Sequence, residues 1–464
     1  MIETGPGPLT LEKLQAAVKN RNLDTVLVVF TDMQGRLQGK RVQGSHFVNE
    51  VQSGGTEACS YLLATDVEMN AAEGYELASW DKGYGNFVLR PDLTTLHVAP
   101  WHPFTAIVLC DLEWPDGSPV RPSPRQILQS QADVLAEEFN CRALAGTELE
   151  FQIFEEPYEK AWDARYASLT PANRYNIDYS IVGSGRIEAL LHDIHRGASE
   201  AGVRIESLKG ACNRGQYEIN FRFDEVVAAA DTHSLFRTAA KEVAARHQHA
   251  LTFMAKYDER EGNSCHLHLN LRGFEGESPA VFAAEDGDPD AVDGRSPEFA
   301  AFVAGILATL PEFALLYAPN INSYKRFQAG TFAPTTLAWG VDNRTCALRV
   351  VGRGDSLRVE NRVPGADTNV YLALAAMLAG GMYGMRNDLT LGEPLPGNAY
   401  AVDTIARIPT SLREARERFA SSKVAELAFG ADVVAHYVNA ADVELRAFDL
   451  AVTDWERIRG FERL

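Results

Sequence analysis

Over the first 120 residues the apolar positions fall in short runs broken by turn residues, a pattern of strands rather than of long helices. Residues 9–19, behind Pro8 and Thr10, carry helical spacing and predict one short amphipathic helix. TVLVVF (25–30) predicts a strand, and DMQGRLQGKRV then reads as a glycine-turned hairpin into a second strand. The segment 61–80 is mixed; Asp66 and Glu68 sit there at alternating positions, as surface charges or site contributors. Further strands are predicted at 86–89, 94–98 and 105–111, with turns at Arg90-Pro91-Asp92 and Pro115-Asp116-Gly117. Pro119, Pro122 and Pro124 mark the far boundary of this small sheet domain, which gives domains 1–120 and 121–464.

The pattern changes after Pro124. Residues 124–139 read as a helix, and CRALAGTELEFQIFEE (141–156) as a long strand. Glu148 and Glu150 lie two apart among Leu149, Phe151 and Ile153, so a strand points both carboxylates to one face. Two acids directed inward need a counter-charge, usually a cation. Residues 186–202 predict an amphipathic helix whose His192 and His195 face solvent. GACNRGQYEINFRF gives a turn and a strand with Glu218 and Asn220 on one face; a helix follows at 231–250. In EGNSCHLHLNL, His266 and His268 alternate with Leu267 and Leu269. The stretch 322–362 then places Arg326, Arg344, Arg349, Arg353, Arg358 and Arg362 among Gly, Pro, Asn and Ser, with one glutamate, Glu360. Arg358, Glu360 and Arg362 share a face if this segment is a strand. An acid between two guanidiniums suits a metal ligand beside anion clamps.

Composition narrows the choices. A formal charge of −19 argues against a nucleic-acid partner despite the local arginines. No apolar run reaches the length of a membrane span, and residues 1–20 lack the basic-then-apolar form of a signal peptide, so a cytoplasmic protein is expected. Six scattered cysteines without a CxxC read as reduced thiols. No phosphate-binding glycine loop of the Walker, kinase or dinucleotide type appears, nor a GxSxG elbow. Four carboxylates with one or two imidazoles make a mostly hard-oxygen donor set, which favours Mg²⁺ or Mn²⁺ over Zn²⁺. Beside arginines, such cations suit a nucleoside triphosphate.

The motifs FTDMQGRLQGK (30–40), RPDLTTLHVAPW (90–101), CDLEWPDGSPVRPSPR (110–125), GTELEF (146–151), NRGQYEI (213–219), GNSCHLHLNL (262–271), NSYKRF (322–327), DNRTCALRV (342–350) and RVENR (358–362) follow one another in the order found in class I glutamine synthetases. The chain resembles that family over nearly its whole length. The resemblance implies an α+β fold: an N-terminal β-grasp domain, then a catalytic domain with a mostly antiparallel curved sheet flanked by helices. It also implies a dodecamer of two hexameric rings with active sites between neighbouring subunits. The implied chemistry uses ATP to phosphorylate the γ-carboxylate of glutamate, and a nitrogen nucleophile then displaces phosphate. By position, Glu150 and Glu218 match ligands of a first metal, and Glu148, His266 and Glu360 those of a second. Gly262, Arg326, Arg344 and Arg362 match glutamate-binding positions; His268, Arg349 and Arg358 match ATP-side positions. Arg362, Arg344 and Glu360 are the implied catalytic set.

Two positions depart from the ammonia-using members. A glutamate that helps deprotonate ammonium is replaced in QAGTFAP by Phe332, and a glutamate before the GQ-x-E motif by Ala211 (or, with a one-residue gap, Gly210). The first metal site is therefore expected to be weakened. With Tyr175 and Asp66, Phe332 and Ala211 make up the expected amine pocket. Loss of two acids and gain of an aromatic wall disfavours a small cation and suits an alkylamine. The resemblance thus points to the γ-glutamyl-amine ligase branch, with ethanolamine first and polyamines second. A weakly active or inactive binding paralogue is the alternative, and true glutamine synthesis ranks third. Tyr400 in GNAYAVD reads as an ordinary surface tyrosine.

Overall fold

The structure is a computed structural model that describes residues 9–274, 280–284 and 291–464. Residues 1–8, the first part of the stretch read for a leader, lie outside the described residues. A helix at Leu11–Lys19 is opened by Thr10, whose side chain accepts from the Lys13 N–H. The first sheet consists of β1 (Thr25–Thr31), β2 (Leu37–Gln43), β3 (Thr56–Cys59), β4 (Asn86–Pro91), β5 (His97–Val98) and β6 (Thr105–Glu113). Its order is β2-β1-β6-β4-β3 with β5 on β6, and only β1 and β6 run parallel. The predicted hairpin forms because Asp32 accepts from the N–H groups of Gln34 and Arg36 while Gly35 takes φ +75°. The predicted 94–98 strand shrinks to two residues: Asp92 caps a tight turn by accepting from the Thr94 N–H at 3.0 Å. Helical pieces between Gly44 and Gly54 were not predicted; each is three to five residues long, too short for a periodic signal.

The second sheet consists of β7 (Cys141–Phe154), β8 (Ile205–Gly210), β9 (Gln216–Phe221), β10 (Asp224–Glu225), β11 (Ala250–Thr252), β12 (Cys265–Gly273), β13 (Trp339–Val341), β14 (Leu348–Val351) and β15 (Arg358–Asn361). The path is β13-β14-β15-β12-β7-β9-β8, with β10 and β11 also on β7, and only β13–β14 is parallel. The expected mixed, mostly antiparallel α+β architecture is thus observed. β7 is the 14-residue spine, flanked by β12 and β9, so its alternate residues Leu149, Phe151 and Ile153 are buried and its acids lie mid-sheet. Behind the sheet pack the helices Pro124–Phe139, Glu188–Glu200 and Val226–Arg246, the last starting five residues before the predicted 231. His192 and His195 are exposed, as read.

Arg125, at the start of the Pro124–Phe139 helix, ties the first sheet to the helices behind the second. It pairs with Asp92 and Asp111 on one side and with buried Asp231 on the other, at 2.6–2.9 Å. Tyr371 also donates to Asp231.

One expectation needs correction. The 21-residue Pro297–Tyr317 helix, whose most apolar 18 residues have a mean hydropathy of 2.0, is long and apolar enough to cross a membrane. Two-thirds of its most apolar stretch is buried inside the fold. It lies so close to the Val370–Arg386 helix that a Cβ on Gly305 would come within 2.2 Å of the Gly380 carbonyl. Its burial and this close helix contact place it among the core helices of the fold.

Candidate active site

Strand register builds the site. Glu148 of β7 faces His266 of β12 on one side and Asn220 of β9 on the other; two residues on, Glu150 faces Glu218. His268 pairs with Glu360 of β15, and Glu360 with Arg349 of β14. The period of two places these side chains on one face of the sheet in adjoining rows.

In the first row the ligand atoms converge. His266 Nδ1 lies 3.0 Å from Glu148 Oε2 and 3.5 Å from Glu360 Oε1, and one donor atom from each of the three falls within 4.8 Å of the others. His266 Nε2 is buried without a partner. Glu360 is fully buried between Arg349 (Nη1–Oε2 2.8 Å) and Arg362, which donates to Oε1. Burial alone would raise its pKa, but Arg362, His266 and His268 outweigh it and hold the carboxyl at about 2. Glu148 is likewise pushed against by burial and drawn below the usual carboxylate range by hydrogen bonds from His266 and His268. His268 Nε2 reaches Glu148 Oε1 at 2.9 Å, while its Nδ1 accepts from Arg358 Nε at 3.3 Å. Two ionised acids and an imidazole, converging in a largely buried place, fit a divalent cation of the Mg²⁺ or Mn²⁺ kind.

In the second row the acids are differently employed. Glu150 Oε2 accepts the Ser264 N–H at 2.6 Å, which pins the 261–264 loop over the sheet. Gln216 holds the same loop by donating to the Gly262 carbonyl and to Asn263 Oδ1. A side chain at Gly262 would meet the Ala255 carbonyl at 2.3 Å, so only glycine lets the loop lie this low. Glu218 has its pKa raised to about 7 by burial and by Glu150 and Glu148, with Lys209 opposing. Lys209 sits directly across from Glu218 in the β8–β9 ladder. Its Nζ lies 3.1 Å from Glu218 Oε2 and 3.0 Å from Asp178 Oδ1.

Sequence reading missed Lys209 and Asp178. The available signal was the pairing itself: a lysine nine positions before Glu218, across a glycine-containing turn, lands opposite it in a hairpin.

These side chains line a cavity of about 420 Å³ that includes Glu148, Glu150, Glu218, Gly262, His266, Ala211, Phe332, Arg344, Arg349 and Arg362. A second cavity of about 360 Å³ contains Gly146, His268, Asn270, Ser356 and Arg358. Glu148, Ser207 and Asn220 border both. Ala211, not Gly210, faces the first cavity; a Cβ on Gly210 would run into the Ile177 carbonyl at 2.4 Å. Phe332 is half exposed at φ +58°, and its carbonyl accepts from Arg362 Nη2 at 3.4 Å.

Four expected members, fully buried Glu360 and Arg326, Tyr175 and Asp66, line neither the second cavity nor the first. Arg326 is buried beneath it: Nη1 donates to the Val363 carbonyl, and Nη2 to Ser264 Oγ and the Arg362 carbonyl, at 2.8–3.0 Å. Burial pulls its pKa down to about 10. Tyr175 is an exposed residue covered by Arg186, with the guanidinium 5.3 Å from the ring centre. Asp66 borders a separate hollow with Met33, Gln34, Leu315, Tyr437 and Glu444, and its carboxylate is taken by Asn70. Tyr400, read as a surface residue, is half-buried and donates to the Ala333 carbonyl at 3.0 Å, fastening the chain next to Phe332.

Comparison with known proteins identifies the family. Residues 121–459 match the glutamine synthetase catalytic domain. The chain is 54% identical over 457 residues to the gamma-glutamylethanolamide synthetase of Streptomyces coelicolor, covering 98% of this chain and 96% of that protein. It is 34% identical to the glutamate–isopropylamine ligase of a Pseudomonas species, covering 96% and 97%. The solved structure of a GmaS/ADP complex superposes with a TM-score of 0.83 at 24% identity, over 97% of this chain and 99% of that one. The chain has the glutamine synthetase fold and belongs to the glutamine synthetase family of ATP-dependent carbon–nitrogen ligases.

Proposed function

We propose that the protein joins the γ-carboxylate of L-glutamate to a primary amine at the expense of ATP, with ethanolamine the favoured amine and polyamines next. The observation that carries this reading is the amine end of the 420 Å³ cavity, where Phe332 and Ala211 stand in the same space as Glu150 and Glu218. An apolar wall offers nothing to a bare ammonium ion and packs the carbons of an alkylamine. The names of the two amine-ligating relatives, at 54% and 34% identity, support the same class of nucleophile.

The roles divide between the two cavities. ATP would enter on the side of His268 and Arg358, and glutamate on the side of Gly262, Arg344 and Arg362. The transferring phosphoryl group would pass at Glu148, which borders both. A divalent ion held by Glu148, His266 and Glu360 would supply charge to neutralise the phosphate oxygens. Arg349 and Arg362 bracket Glu360, so one acid would both help hold the ion and position two guanidiniums for the phosphoryl group. Arg326 acts from below by fixing Ser264 and the Arg362 backbone. The amine nitrogen then attacks the γ-glutamyl phosphate carbonyl, the C–O bond to phosphate breaks, and an amide, ADP and phosphate leave. Because Asp66 lies away from this cavity, we infer that it reaches the site of a neighbouring copy in a ring-forming homo-oligomer, a dodecamer by family resemblance.

A panel of amines with glutamate, ATP and Mg²⁺, read by phosphate release and product mass, tests the reading. Amine-dependent phosphate release with a γ-glutamyl amide product is expected, with ammonia the poorer nucleophile. Ammonia matching the best amine in kcat/KM would contradict the pocket argument. No turnover with any amine would favour a binding paralogue.

A further inference from the structure

We propose that the ε-ammonium of Lys209 stands at the Glu150–Glu218 pair in place of a divalent ion, so that each active site holds a single catalytic ion, at Glu148, His266 and Glu360. The proposal rests on the ligase reading for the meaning of the site, but the ion count can be measured without turnover.

Lys209 is held by its strand. The β8–β9 ladder sets it opposite Glu218, with Leu208 opposite Ile219 and Gly210 opposite Tyr217. An ammonium has three N–H donors and no acceptor. All three find oxygens: Asp178 Oδ1 at 3.0 Å, Glu218 Oε2 at 3.1 Å and the Gly210 carbonyl at 3.3 Å. The Tyr179 ring, its centre 4.5 Å from Nζ, closes a further side as a cation–π partner. The lysine thus occupies a built cation site.

The carboxylates around it are arranged for that cation and poorly for a metal. Glu218 gives one oxygen to Lys209, and Glu150 gives one to the Ser264 N–H. The position where a third acid would stand is Ala211, a buried methyl group that cannot ligate. Gly210 cannot supply the acid either, since any side chain there would strike Ile177. Among the described residues, the converging group of metal-ligating atoms is Glu148, His266 and Glu360, and it includes neither Glu150 nor Glu218. A divalent ion placed between Glu150 and Glu218 would face a fixed positive charge across Glu218, with no ligand from Ala211 to offset the repulsion. Ala211 and Lys209 therefore belong together: loss of the acid at Ala211 removes an ion, and Lys209 supplies positive charge in its place.

The test counts ions. Metal-stripped full-length protein is titrated with Mn²⁺ in the absence of nucleotide, by calorimetry and by electron paramagnetic resonance. Wild type should bind about one ion per chain, and Lys209→Arg, which keeps the charge, should do the same. The double variant Lys209→Ala/Ala211→Glu should bind about two, with a spectrum broadened by coupling between neighbouring ions. Thermal melting of each variant establishes that it is folded. Two ions in wild type, or a single ion in a folded double variant, would overturn the proposal. An active amine ligase with two ions removes this inference alone. An inactive protein with one ion removes the ligase reading and leaves the inference standing.

Discussion

Two acidic clusters lie two residues apart on β7, and they have opposite electrostatic economies. At Glu148 the neighbouring strands bring an imidazole and a buried acid, and the nearest guanidiniums sit behind Glu360. At Glu150 they bring Glu218 and, one strand further, a lysine that satisfies it. In the first cluster donor atoms of Glu148, His266 and Glu360 converge on one point, whereas in the second a lysine already occupies one acid and partly neutralises the group. One sheet, with one alternation, thus yields a place that needs a cation and a place that carries its own. The difference comes from strand register and from two side chains, Lys209 and Ala211.

The largest expected effect comes from the open cluster. Glu148→Ala or His266→Ala should lower kcat/KM by at least the roughly 10–100-fold typical of losing a mere supporting partner at a metal site. Both should keep their melting temperature. Glu360→Ala should lose activity to the same extent and also destabilise the fold by about 3–5 kcal/mol in denaturant titration, because buried Arg362 loses its partner. Near-normal activity of all three at limiting Mg²⁺ would erase the distinction between the clusters.

Glu218→Gln probes the neutralised cluster and should cost less. It leaves Lys209 with Asp178, so kcat/KM falls while the Mn²⁺ stoichiometry of the nucleotide-free protein stays unchanged. Loss of an ion from this variant would show the second cluster to be a metal site after all. Phe332→Glu returns an acid to the amine end and should shift the ammonia-to-ethanolamine ratio of kcat/KM toward ammonia by about tenfold, the low end of what a small pocket change discriminates. Tyr400→Phe is the mildest change. It removes one hydrogen bond to the segment beside Phe332, worth about 0.5–1.5 kcal/mol. KM for the amine should rise a few-fold with kcat nearly constant.

The alternation of Glu148 with Glu150, of His266 with His268 and of Arg358 with Glu360 was legible in the sequence, because a strand's period of two is written in neighbouring residues. What alternation cannot give is register. Nothing local says that Lys209 meets Glu218, or that Glu360 lies within reach of His266, since those contacts depend on how β8, β9, β12 and β15 are laid beside one another. Arg326 was legible as an arginine near the site but not as one whose two terminal nitrogens are taken by backbone and Ser264 from beneath. The paired helices Pro297–Tyr317 and Val370–Arg386 are apolar on nearly every face, and that uniformity hides the periodicity by which exposed helices are recognised. Tyr400 lies in a loop far along the chain from Ala333, and no spacing rule connects them.

The claim that the amine end of the cavity selects an alkylamine is tested most directly by competition in one tube. Enzyme, glutamate, ATP and Mg²⁺ are supplied with equimolar ethanolamine and ammonium, and the products are counted by mass spectrometry. The account predicts γ-glutamylethanolamide in large excess over glutamine. Glutamine as the main product would contradict it.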